Sequence, residues 1–326
     1  MRRREFLALL GSAAATRPLA ARAQQGASPV VGYLSALGRN ERTNLVDAFR
    51  RGLGEAGYAE GRNVTIEYRF AENEPSRLPA LAAELVARRV AVIVATGSTN
   101  PVLAAKAATA TIPIVFTYGG DPIQAGFVAS MNRPGGNVTG VTFFASAIMG
   151  KLLGLLHETV PNASVITLLQ NPKDSLAELT QADAQAGALA LGVRLDVRNA
   201  STPGEIDVAL ASLRGLTGAL VMGADPYFGT RRQQILALAR RDAIPVAATN
   251  REFVADGALM SYGNDVLDLY RRAGLYGGRI LKGEKPADLP IDQASRFELA
   301  LNLKTAKTLG LSIPSGILSI ADEVIE

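Results

Sequence analysis

The chain has 326 residues, 48% of them hydrophobic and 20% charged, which is enough for two domains with cores of their own and unlike a disordered or fibrous sequence. It contains no cysteine and a single histidine, His157, so disulfides and thiolate metal sites are excluded, and zinc chemistry would have to rest on one histidine and carboxylates. The net charge of +4 suggests an acidic partner only until the charge is located, and it sits at the start.

Residues 1–23, "MRRREFLALLGSAAATRPLAARA", have a basic head, an apolar middle too short to span a bilayer and an A-x-A ending at Ala21-Arg22-Ala23. That order is an export signal, and Arg3-Arg4 followed by x-Phe-Leu has the twin-arginine pattern. Cleavage after Ala23 removes five arginines and one glutamate, leaving equal numbers of basic and acidic residues. The basic charge therefore says nothing of a nucleic-acid partner. No later stretch offers about eighteen uninterrupted apolar residues, the length a membrane helix needs.

From residue 29 the pattern alternates β-branched runs with amphipathic ones. "VVGYLSAL" (30–37) predicts a strand, "NLVDAFRRGLGEAGY" (44–58) a helix with apolar Leu45, Phe49, Leu53 and Ala56 on one face, and "NVTIEYRF" (63–70) a second strand. A helix over 76–88, a strand over 90–97, a helix to about 109 and a strand over 112–118 follow. The series then repeats: strand 164–171, helix 176–192, strand 193–199, helix 205–215, strand 218–226, helix 231–242 and strand 244–249. The two halves share closing phrases, "ATATIPIVFT" and "ARRDAIPVAAT". Strict alternation predicts an α/β fold of two Rossmann-like lobes with parallel sheets and right-handed crossovers.

The Gly-rich stretch 132–150 reads as a crossing between the lobes, 250–263 as a return crossing followed by a strand, and 266–283 as a helix completing a lobe. The tail from 289 adds a strand and a terminal helix. The expected lobes are 29–143 plus 255–288 and 146–249 plus 290–326, joined by a three-segment hinge that lets one close on the other.

Ligands of open parallel sheets collect at the carboxyl ends of the strands, beside the switch point in strand order. The ends here are Ser35, Gly97-Ser98-Thr99-Asn100, Tyr118 and Asp121 in "TYGGDP", Gln170-Asn171, Asp225-Pro226-Tyr227 and Asn250. "ATGSTNPVLAAK" (95–106) lacks the second glycine and lysine of a Walker loop, and "GYLSALGRN" lacks G-x-G-x-x-G, so nucleotide binding is disfavoured. Free amides and hydroxyls at a helix start suit a carboxylate, although Ser98, Thr99 and Asn100 would also serve as caps of their own helix. Asp121 and Asp225 read as caps, as counterions to an ammonium or as an acid–base pair. Tyr118, Phe143, Phe144 and Tyr227 could enclose a ring or a cation, or fill the core. His157 falls near a helix end, away from every strand end, and no G-x-S-x-G elbow is present, so no catalytic residue is assigned.

"VVGYLS", "ATGSTNPVLAAKAATATIPIVFTYGGDPIQAGFVASMNRPGGNVTGVT" and the terminal "LNLKTAKTLGLSIP", behind an export leader, resemble the ABC-transporter substrate-binding proteins of the tryptophan/tyrosine-binding type over nearly the whole mature chain. The resemblance implies a type I periplasmic-binding-protein fold, a monomer in the periplasm, no cofactor or metal, and capture of a small amino-acid-like carboxylate for an ABC permease, which would be its only link to the membrane. The cleft residues it implies are Ser35, Gly97, Ser98, Thr99, Tyr118, Asp121, Asp225 and Asn250, with Phe144 and Tyr227 added from their positions. An exported α/β enzyme using the cleft aspartates, and a ligand-sensing module for a signalling partner, remain alternatives.

Overall fold

The computed structural model describes residues 28–143, 148–215, 218–223, 225–294 and 296–326; the export segment at 1–23 and Phe144 lie outside them. The first half builds β1 (Val30–Ser35), α1 (Thr43–Glu55), β2 (Thr65–Phe70), α2 (Leu78–Ala87), β3 (Val92–Thr96), α3 (Thr99–Ala108), β4 (Ile114–Tyr118) and β5 (Val138–Thr142). The second builds α4 (Met149–Thr159), β6 (Val165–Gln170), α5 (Ala177–Leu191), β7 (Arg194–Asn199), α6 (Pro203–Ala211), β8 (Gly218–Met222), α7 (Pro226–Arg241), β9 (Val246–Ala248), α8 (Arg251–Ala255) and β10 (Met260–Gly263). The chain then returns to the first lobe for α9 (Val266–Leu281) and β11 (Asp292–Gln293), and ends in the second with β12 (Glu298–Asn302), α10 (Leu303–Thr308), α11 (Ser315–Ser319) and β13 (Glu323–Ile325).

The first sheet has the order β11-β5-β4-β3-β1-β2 and is parallel throughout. The second has the order β13-β12-β10-β9-β8-β6-β7, parallel except where β12 meets β10. That pair is antiparallel because β10 carries the chain out of the lobe and β12 brings it back. Strands β3, β4 and β5 are buried at every position, as strands covered by helices on both faces must be. Strand order reverses between β1 and β3 in one sheet and between β6 and β8 in the other. The loops after these four strands are where the fold leaves room for a ligand.

Two expected lobe boundaries shift. Residues 260–263 pair with β9 and β12 in the second sheet, so the chain crosses at Asn264-Asp265 and not at 255. Residues 292–293 pair with β5 in the first sheet, so the last crossing follows them instead of starting at 290. Both segments are short strands, of four and two residues, and so few residues carry no pattern that tells which sheet they join. The helix over 226–241 also starts earlier than the predicted 231, because Asp225 caps it and Pro226 fills its first position.

Helix α9 is bound to the first lobe by packing against α1. Both are strongly amphipathic, and α1 buries Leu45, Val46, Phe49 and Leu53 in the core they share. Their backbones touch through glycines: a Cβ at Gly52 would lie 1.7 Å from the Arg271 carbonyl oxygen, and one at Gly274 would lie 2.1 Å from that of Phe49. The crossings are tied to one another as well. Asn264 Nδ2 donates to the Arg296 carbonyl at 2.7 Å, and the Ala294 amide donates to Thr142 O at 2.9 Å.

Candidate functional site

All four switch-point loops open into one cleft between the lobes. Its inner end is a cavity of about 60 Å³, lined by Arg42, Gly97, Ser98, Thr99, Tyr118 and Asp174 among others. A wider outer cavity of about 290 Å³ adds Asn171, Asp225, Tyr227 and Arg231. The two share Gly97, Ser98, Asp174 and Pro226, so they are two ends of a single cleft.

On the first lobe, β3 ends at Thr96 and the chain turns through Gly97 into α3. Gly97 has φ +95°, a region that a residue with a Cβ enters at a cost of about 1–2 kcal/mol. The turn delivers Ser98 in extended conformation at the head of α3, and Ser98 makes no capping bond. Among the described residues no side chain caps the first N–H groups of that helix, whose positive end borders the cleft at Ser98 and Thr99. Thr99 does not cap either; its hydroxyl hydrogen-bonds to the Ser175 hydroxyl across the cleft.

On the second lobe, Asp225 follows β8. Its Oδ1 accepts from the Tyr227 amide at 2.7 Å and so caps α7, while its Oδ2 is buried without a partner. Burial first, then the nearby charge of Asp174, pushes the Asp225 carboxyl up to about 7. Asp174, in the loop after β6, accepts from the Leu176 amide at 3.2 Å and is pushed up by burial to about 6. Two carboxyl groups that both resist ionisation in one place can ionise together only at a cost, which a cation placed between them would offset.

Aromatic groups line the rest. Tyr118 is nearly buried and packs on Phe127 with ring centroids 4.8 Å apart. Phe143 and Tyr270 complete the inner end together with Leu45 and Val266. Tyr227 stands at the outer end, its ring beneath the Arg231 guanidinium at 5.5 Å and its buried hydroxyl without a partner. Asn250 reaches the inner cavity from the head of α8, where its side chain makes no capping bond.

Of the residues expected from the sequence, the cleft gathers Gly97, Ser98, Thr99, Tyr118, Asp225, Tyr227 and Asn250. Ser35 lines neither cavity: it is buried, and its hydroxyl accepts from the Leu37 amide at 3.2 Å. Asp121 lines neither one; its carboxylate accepts from the Ile123 and Gln124 amides at 2.8 and 3.3 Å and closes its own turn. Sequence reasoning missed Arg42, Asp174, Ser175 and Tyr270. Asp174 lies three residues beyond Asn171, where the reading of that strand end stopped. Arg42 lies in the long loop after β1, and Tyr270 arrives on the return helix, for which no strand-end signal exists. His157 lies on α4 and lines neither cavity. Among the described residues no group of three or more His, Asp or Glu side chains could hold a metal ion.

Two α/β lobes linked by three crossings, with a cleft of aromatic and polar lining at matched switch points, have the architecture of a protein that takes a small molecule between its halves. The family model of the ABC transporter substrate binding proteins matches residues 31–325, and the chain belongs to that family. It is 28% identical over 263 residues to the tyrosine-binding protein of Clostridioides difficile, covering 81% of this chain and 75% of that one. It is similar to the ABC domain in complex with L-Trp from Streptococcus pneumonia (24% identity, 90% of this chain and 100% of that chain, TM-score 0.80). It is also similar to the ligand-free, open structure of a substrate binding protein with adhesive properties from Clostridium difficile (25% identity, 91% and 99% of the chains, TM-score 0.65). These neighbours share the type I periplasmic-binding-protein architecture described above.

Proposed function

We propose that this protein captures a free amino acid in the interlobe cleft, in the periplasm, and passes it to an ABC permease. The observation that carries this reading is the buried, unpartnered Oδ2 of Asp225 beside Asp174, across the cleft from the open head of α3. A zwitterion satisfies both walls at once. Its ammonium pairs with the two carboxyl groups and offsets one of their charges, and its carboxylate accepts from the amides and hydroxyls at Ser98 and Thr99. Tyr118, Phe143 and Tyr270 then wrap the side chain, and Asn250 and Tyr227 bound it from the second lobe. Relatives that bind tyrosine and tryptophan make aromatic amino acids the first ligands to try.

Isothermal titration of the mature chain with the twenty amino acids, their amides and simple carboxylates tests the reading. Saturable binding of at least one free amino acid is expected, and binding of none of the twenty, or binding of the amides or simple carboxylates as tight as that of the amino acids, sinks it. Export through the twin-arginine route predicts that replacing Arg3 and Arg4 together by lysine leaves the precursor in the cytoplasm, with cleavage after Ala23 read from the N-terminal sequence of the periplasmic form.

A further inference from the structure

The charged residues lining the inner cavity are Asp174 and Arg42, and capture of an amino acid by the carboxyl pair and the head of α3 leaves Arg42 unused. Arg42 is 5% exposed, lines the inner cavity and stands at the N-terminus of α1, a helix with no acidic residue in its first turn. The positive ends of α1 and α3 and a permanently charged guanidinium thus meet in one small space. Its counter-charge comes from the opposite lobe: Arg42 Nη2 donates to Glu252 Oε2 at 2.6 Å, and Asn44 Nδ2 holds the other oxygen of that carboxylate at 2.5 Å. Room for the guanidinium is provided by Gly229 on α7, where a Cβ would lie 2.1 Å from Arg42 Nη1. The Nε of Arg42 is buried and has no acceptor.

We propose that Arg42 is a second anion-reading group of the cleft, giving Nε to the acid group of the ligand while Nη2 holds Glu252 across the gap. Ligand capture and lobe closure then share one side chain. A buried N–H donor without an acceptor is unfavourable, and a ligand carboxylate entering the inner cavity supplies the missing partner. Opening the lobes separates Arg42 from Glu252, so the contact to the ligand is made at full strength only when the second lobe has arrived. This inference rests on the amino-acid reading, and it adds that the acid group, not the side chain, couples binding to closure.

The test is titration of the mature protein with L-tryptophan and L-tyrosine against tryptamine and tyramine, which keep the ammonium and ring but lack the carboxylate. Arg42→Gln removes both the Nε donor and the closure contact to Glu252, and is expected to weaken the amino acids at least about tenfold more than the amines, whereas Glu252→Gln removes the closure contact alone and weakens acids and amines by similar factors. Equal losses for acid and amine in Arg42→Gln overturn the inference and leave the capture reading standing. A wild-type protein that binds no amino acid removes both. If the variant does not fold or the amines bind below detection, the crystal structure of the wild-type protein loaded with an amino acid decides. A ligand oxygen within hydrogen-bond distance of Arg42 Nε supports the assignment, and its absence overturns it.

Discussion

The two lobes repeat one design, and their equivalent positions carry opposite charge. The loop after β1 delivers Arg42, and its counterpart after β6 delivers Asp174. The turn after β3 delivers the uncapped head of α3, and its counterpart after β8 delivers Asp225, which caps α7 with one oxygen and leaves the other for the cleft. At these four switch-point positions a duplicated scaffold thus presents a positive group from one lobe and a negative group from the other, while farther out the cleft carries the opposite signs, with Glu72 and Glu74 on the first lobe and Lys173 and Arg231 on the second. A ligand with an acid at one end and an ammonium at the other belongs to both lobes at once, and closing on it is the way to satisfy each wall.

The most severe way to break this asymmetry is to remove the charge of the negative wall while keeping its cap. Asp225→Asn retains an Oδ1 for the Tyr227 amide, so the helix start survives. Amino-acid affinity is expected to fall by about 100-fold, within the range for deleting one member of an enclosed charge pair, as read by titration. The ligand-free variant should also melt at a higher temperature than the wild type at pH 8, and not at pH 4.

The sign of that second effect follows from the raised carboxyl. Folded Asp225 keeps its proton to about pH 7, whereas in the unfolded chain it ionises near the ordinary carboxylate value of 3.8. The cost to stability is therefore absent below about pH 4, grows as pH rises through the window between the two values, and is complete above about 7.

The framework can be separated from the cleft at the α1–α9 contact. Gly274→Ala places a methyl group against the Phe49 carbonyl and is expected to cost about 1–3 kcal/mol in urea denaturation, with the surviving folded fraction still binding ligand. A loss of affinity as large as that of Asp225→Asn would mean that the first lobe's return helix positions the site and does more than support it.

A change of pH sharpens the comparison without any substitution. An ammonium held by ionised Asp174 and Asp225 needs both protons gone, so binding below about pH 7 releases protons, and affinity should rise by about 100-fold between pH 5.5 and 7.5. Titration in two buffers of different ionisation enthalpy counts the protons. A flat profile would show that the cation does not meet these carboxylates. The smallest effect belongs to Asp121→Asn, which leaves a side chain able to close the same turn and should change affinity by less than about twofold. A large loss there would return Asp121 to the cleft.

Much of this was legible along the chain. The alternation of strands and helices gave the two lobes, and strand ends pointed to Gly97, Ser98, Tyr118, Asp225 and Asn250. The same rule also pointed to Ser35 and Asp121, because the carboxyl end of a strand is a place and not a direction. Ser35 turns to its own loop, and Asp121 to its own turn. Arg42 and Tyr270 could not be found this way, since one lies seven residues beyond β1 and the other rides a helix that returns from the second lobe.

The sequence alone determined the repeat, the turn at Gly97 that leads into a helix and the absence of thiol chemistry, because periodicity, glycine's access to positive φ and composition are local properties. Tertiary structure decided which sheet the short strands at 260–263 and 292–293 join, which carboxyl groups lose their water and which guanidinium is left with a free donor. Those outcomes depend on what the chain brings close from far away, and burial strips solvent only after the lobes are built.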